Sequence, residues 1–368
     1  MGTIKERISG DYTNVKQTWE KVSGTWVKHK TVWEKVSGTW VKVWQAVTSY
    51  LLVKASSGGH AQKRDTNGNI INTSPSAWDD ILATNPDGYL FSIRQRYLDK
   101  YTADLQSLIW STEYYSGTNY SANAIYPTSS KGIVIIMSRS YATTGYLVCI
   151  SESGIAGSLR STGHTYSSFN GYSLATDSNG HAYCILGSFS EGPSSYYFQK
   201  RSSNTGSLII ELLSSSYSPS VARLAFAKDG KLYRSHDRAM NEINPDSGTF
   251  IRSASVSSSA ISGYIRSMAI SSDNIAFLGT SDGKLLGVDL TTLTRIFVVN
   301  VGDTEEGIYN VEVDVDGNCY AICQYDTVLR KYNKNGTLLL DIDLGTSLNN
   351  RNGMAIGPGK IGTFPEYY

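Results

Sequence analysis

Residues Asn310 to Gly345 read NVEVDVDGNCYAICQYDTVLRKYNKNGTLLLDIDLG, and this stretch decides the fold. An apolar strand opens it and turns at Asp316-Gly317. A second apolar strand follows, and a polar-apolar alternation runs on to Gly345. Related copies are RLAFAKDGKLYRS from Arg223, SMAISSDNIAFLGTSDGKLLGVD from Ser267, ILATNPDGYLF from Ile81, NAIYPTSSKGIVIIM from Asn123 and SLATDSNGHAYCILG from Ser173.

The first core position of each copy falls at Leu82, Asn123, Leu174, Leu224, Met268, Val311 and Met354, in steps of 41 to 51 residues. Such a period with about four short strands per copy is the arithmetic of a β-propeller, in which each radial sheet buries both faces against its neighbours. Six full copies fit between Leu82 and Gly353. The seventh is cut short after GMAIGPGKIGTF, and SYLLVKASSG (Ser49 to Gly58) with GNIINTS (Gly68 to Ser74) supply its missing strands. Sharing a blade between the two ends removes both open sheet edges. The expectation is all-β: a seven-bladed propeller over residues 49–368, with six blades as the alternative. The pattern resembles the degenerate NHL, YVTN and quinoprotein-like propeller repeats and lacks the Trp-Asp and Gly-His marks of WD40 blades. That resemblance implies a fold and no chemistry.

Upstream, WEKVSGTWVK occurs at Trp19–Lys28 and again at Trp33–Lys42. Trp19, Trp26, Trp33 and Trp40, with Val22 and Val36, concentrate apolar surface that a short segment cannot leave uncovered. Heptad spacing permits a coiled-coil seam, but Gly24 and Gly38 cost about 1 kcal/mol each in a helix interior. As two-residue turns, Ser23-Gly24 and Ser37-Gly38 instead give a β-meander with Trp26 opposite Trp33 and the tryptophans and lysines on one face. Residues 1–48 are therefore expected to form a small β module for attachment or oligomerisation, with the coiled coil as the alternative.

The chain has 368 residues, 33 Lys and Arg against 32 Asp and Glu, and 25 Tyr. A net charge of +1 gives no electrostatic case for a nucleic-acid partner. No run approaches a membrane span and no apolar signal core is present, so neither membrane insertion nor Sec export is expected. Cys149, Cys184, Cys319 and Cys323 lie in apolar runs, as reduced buried thiols would.

Chemistry is sparse. Glu312, Asp314, Asp316 and Gly317 imitate the start of a calcium loop, but Cys323 stands where the closing bidentate Glu belongs. Gly357, Gly359 and Gly362 fit GxGxxG without a following helix. The five His, His236 among them, show no ligand spacing, and nothing in the sequence pairs His181 with Asp229 near the inner turns. No catalytic residue, metal or cofactor is expected. Tyr114, Tyr115, Tyr120, Tyr196 and Tyr197, set among Ser, Gly and Asn, suit contact with a glycan or a protein partner.

The tandem W-x-K-V-x-G-x-W, Trp19 to Trp26 and Trp33 to Trp40, is similar to short N-terminal repeats of tailed-phage virion proteins. That resemblance implies a multicopy tail or receptor-binding protein assembled in the host cytoplasm. Residues 1–48 would dock on other virion proteins, and the propeller would face the host surface. The competing expectations are a bacterial propeller enzyme of lyase, lactonase or quinoprotein type and a cellular protein-binding scaffold.

Overall fold

The structure is a computed structural model of the whole chain. It describes the strands throughout and most turns; side chains are described from Ser49 to Gly357 except for short segments, the longest being 75–82, 116–121, 138–144, 162–172, 187–196, 213–222 and 346–353. Residues Met1–Thr48 with Pro365–Tyr368 form one compact unit and Ser49–Phe364 the other.

The larger unit is a seven-bladed β-propeller, each blade an antiparallel four-stranded sheet. Blade 1 joins the two ends: its innermost strand is Met354–Gly357, followed outward by Tyr50–Ala55, His60–Arg64 and Ile70–Ala77. The other innermost strands are Ile81–Thr84, Tyr120–Pro127, Phe169–Thr176, Arg223–Phe226, Ile265–Ile270 and Ile308–Val313, opening blades 2 to 7. All seven first core positions read from the sequence lie on these strands. Each packs against the next, and the strand of blade 7 meets Met354–Gly357, so the ring closes. The closing pair runs Met354 opposite Val53 and Ile356 opposite Leu51.

Burial explains the strand sequences. Second strands such as Ile275–Thr280 and Cys319–Cys323 are buried along their whole length and read as unbroken apolar runs. Outer strands such as Phe250–Ser255 are largely exposed and alternate. Between first and second strands, a side-chain oxygen closes the turn. Asp314 Oδ1 accepts from the Asp316 and Asn318 amides at 3.0 and 2.8 Å, and Asp177 does the same for Asn179 and His181.

A second series of turns, between third and outer strands, locks blade to blade. A Cβ on Gly336 (φ +82°) would lie 2.6 Å from the Phe297 ring of blade 6, so the turn is a socket for that ring. Blades 2 and 6 invert the device: Leu105 (φ +68°) and Leu293 (φ +56°) hold strained backbone and bury their own side chains. Third-strand lysines reach the same turns of the following blade. Lys63 Nζ donates to Ala103 O at 2.6 Å, Lys200 Nζ to Asp246 at 2.8 Å, and Lys331 Nζ to Thr66 O at 3.5 Å, this last from blade 7 to blade 1.

The small unit contains strands, which rules out the coiled coil. Trp19–Val22 pairs with Thr25–Lys28, and Thr31–Val36 with Thr39–Gln45. A third hairpin, Lys5–Ile8 with Asp11–Asn14, precedes them. Ile8-Ser9-Gly10 stands 14 residues before Val22-Ser23-Gly24, which in turn stands 14 before Val36-Ser37-Gly38. The first hairpin is thus a diverged copy that the exact-match reading missed. The described pairings form three two-stranded sheets, one per hairpin. Trp26 stands opposite Lys21 and Trp33 opposite Lys42, and the Trp26–Trp33 pairing is not among those described.

Candidate functional site

Blade 5 places an arginine and a histidine in its buried second strand, Leu232–His236. Opposite the inner-strand core positions Leu174, Met268 and Val311 stand Cys184, Leu278 and Ala321, whereas Leu224 faces Arg234. Two residues on comes His236. Both are buried, 4% and 5% exposed. Charged and ionisable groups in a strand core cost free energy, and violations of local consistency concentrate at functional sites.

The register gathers these groups with others. Arg234 pairs with Asn241 on the third strand, Ala239–Ile243, and Asn241 pairs with Ser253 on the outer strand. The Asn241 amide donates to Ser253 Oγ at 2.7 Å, and Asn241 is 3% exposed. Its Oδ1 is buried without a hydrogen-bond partner among the described residues. The Arg234 guanidinium sits 5.6 Å from the centre of the Phe250 ring, and that ring is 46% exposed.

Asp237 holds φ +48° at the turn, and Arg238 Nε ties the turn to Gly263 O at 3.2 Å. A cavity of about 270 Å³ opens here, lined by His236, Asp237, Arg238, Ala239, Asn241, Phe250, Ser253 and Ser255. Burial, and then the Arg234 charge, push His236 down to about 4, partly opposed by Asp237. The imidazole is therefore neutral at physiological pH. The site offers fixed hydrogen-bond donors and acceptors beside an aromatic face. The cue in the sequence was LYRSH at 232–236, where the register-matched stretches of blades 4 and 6 read AYCIL and AFLGT.

The residues singled out from sequence fall elsewhere. Tyr114 is 4% exposed in the core shared by blades 2 and 3, with Tyr115 packed against it. Tyr197 packs against the core between blades 3 and 4. The side chains of Tyr120 and Tyr196, like those of Trp19, Val22, Trp26, Trp33, Val36 and Trp40, lie outside the described residues. His181 pairs with Asp177 at 2.8 Å, four residues before it, and the same carboxylate accepts from Tyr183 Oη. The Asp314 carboxylate of the calcium-like stretch is taken up by its turn and by Tyr320 Oη at 3.2 Å. Among the described residues no cluster of three or more His, Cys, Asp or Glu could hold a metal. The four cysteines are buried and not in disulfides, and burial raises Cys149 to about 11 and Cys184 to about 12. The GxGxxG match lies outside the described residues beyond Gly357. Among the described residues no helix is long and apolar enough to cross a membrane.

No protein-family model and no characterised relative matches the sequence. Among solved structures the chain is similar to one in a mitotic checkpoint complex, with TM-score 0.54 and 12% identity over 72% of this chain and 76% of that one. A protein of unknown function from Bacteroides caccae aligns with TM-score 0.47 and 12% identity over 81% of this chain and 94% of that one. At these identities the likeness shows the propeller fold alone.

Proposed function

We propose that this chain is a non-enzymatic binding protein of a tailed-phage particle, its hairpin unit docking on other virion proteins or on further copies and its propeller presenting a surface to the host. The observation that carries this reading is the division of labour in the chain. Two near-identical Trp-bearing hairpins, and a diverged copy without Trp, precede in sequence a ring that is complete without them. Two-stranded sheets are marginal in water by themselves, and their apolar positions call for a covering partner. A propeller whose Cys149 and Cys184 thiols are held protonated by burial suits recognition better than covalent chemistry.

The test is to size the purified chain with and without residues 1–48 by sedimentation. The full chain is expected to self-associate or to bind virion components, and the fragment from Ser49 to sediment as a monomer. An unchanged oligomeric state, with stoichiometric metal in elemental analysis, would replace this reading with the propeller enzyme.

A further inference from the structure

We propose that the cavity on blade 5 binds one neutral sugar ring, a hexopyranose unit of a glycan, with Phe250 as the stacking face and Asn241, His236 and Ser253 as its hydrogen-bonding wall. The inference deepens the binding role proposed above and rests on that role only for its biological setting.

Three features of the site converge on this ligand class. Its volume, about 270 Å³, lies below the range of drug-sized pockets and suits a single ring. One lining group is the half-exposed Phe250, whose ring carries the Arg234 guanidinium 5.6 Å from its centre, a contact that restrains the aromatic platform before a ligand arrives. The rest of the lining is polar: an amide oxygen with no described partner, a neutral imidazole, serine hydroxyls, and Asp237 and Arg238 of opposite sign. A buried acceptor without a donor costs free energy that a ligand hydroxyl recovers. Anions are disfavoured because Arg234 does not line the cavity and Arg238, which does, is tied to Gly263 O and Ser262 O. A flat hydroxylated ring, apolar on its faces and polar at its rim, stacks on Phe250 while a rim hydroxyl donates to Asn241 Oδ1. Arg234 acts as a positioning residue, since it reaches the ligand only through Phe250.

The experiment is saturation-transfer NMR on the full chain with the methyl glycosides of glucose, galactose, mannose and N-acetylglucosamine, and with glucuronate and inorganic phosphate as anionic counter-probes. At least one neutral glycoside is expected to bind, and Phe250→Ala and Asn241→Leu to weaken it about tenfold or more. Phe250 is half-exposed, so its variant keeps the fold, and an unchanged melting temperature verifies this. Arg234→Met should weaken binding less than Phe250→Ala and add nothing in the double variant. Absence of transfer from every neutral glycoside, binding of the anions alone, or binding that survives Phe250→Ala would each overturn the proposal. None of these outcomes bears on self-association through residues 1–48, so the two readings fail separately.

Discussion

His236 and Gly336 show how single residues carry this fold's costs. His236 titrates near 4 in the folded ring against 6.5 for an ordinary histidine, because burial and Arg234 oppose its charged form while Asp237 only partly offsets them. Above pH 6.5 the imidazole is neutral in folded and unfolded chains and costs nothing. As pH falls from 6.5 towards 4 the unfolded chain takes the proton first, so stability drops across that window and the loss is complete below it. Urea midpoints measured through this range should fall more steeply for the native chain than for His236→Gln; parallel curves would refute the linkage. Gly336 poses a steric problem instead. Gly336→Ala forces a side chain into left-handed backbone, costing about 1–2 kcal/mol, and into the Phe297 ring, adding about 1–3 kcal/mol. A double-mutant cycle with Phe297→Ala should recover the second part and leave the first.

At the scale of the element, the turn between first and second strands is the unit the sequence announces best. Asp314, 1% exposed, ties its turn through two backbone amides, Asn318 Nδ2 and Tyr320 Oη, and Lys331 stands 3.5 Å away. Asp314→Ala removes these bonds together and should cost about 2–4 kcal/mol, while Asp314→Asn keeps the amide caps and should cost about half of that. Thermal melts of both variants check this, and added calcium should leave all of them unshifted if the carboxylate serves the turn. Such turns were legible because Asp-Gly and Asn-Gly are local signals. The third-to-outer turns were not, since what makes Gly336 necessary is Phe297 on another blade. His60–Arg64 escaped notice because HAQKR carries too few apolar residues to read as a strand, and the first hairpin because Tyr12 stands where its sisters carry Trp. The blade 5 site was visible only by comparison among copies. A lone histidine says little, but an Arg and a His where the matched positions of blades 4 and 6 carry Cys184 with Leu186 and Leu278 with Thr280 say that something else is served there.

For the whole molecule the governing fact is closure. A unit as long as Ser49–Phe364 ordinarily unfolds through intermediates, and a linear array of repeats loses its end blades first. The ring has no end blade. Every described blade face is one half of an interface, and the lysine reaching from Lys331 to Thr66 treats the junction of the two termini like any other boundary. Melting one blade therefore exposes the buried faces of both neighbours, which couples all seven. The fragment from Ser49 to Phe364 should unfold in a single calorimetric transition, with calorimetric and van't Hoff enthalpies in a ratio near one. Ending the fragment at Gly353 removes Met354–Gly357 and opens the edge of Tyr50–Ala55, where Leu51, Leu52 and Val53 are fully buried. That fragment becomes a linear array: its transition should broaden, its enthalpy ratio should exceed one, and its exposed edge should drive association. If the shortened fragment melts as sharply as the complete ring, cooperativity resides within blades and closure contributes little to it.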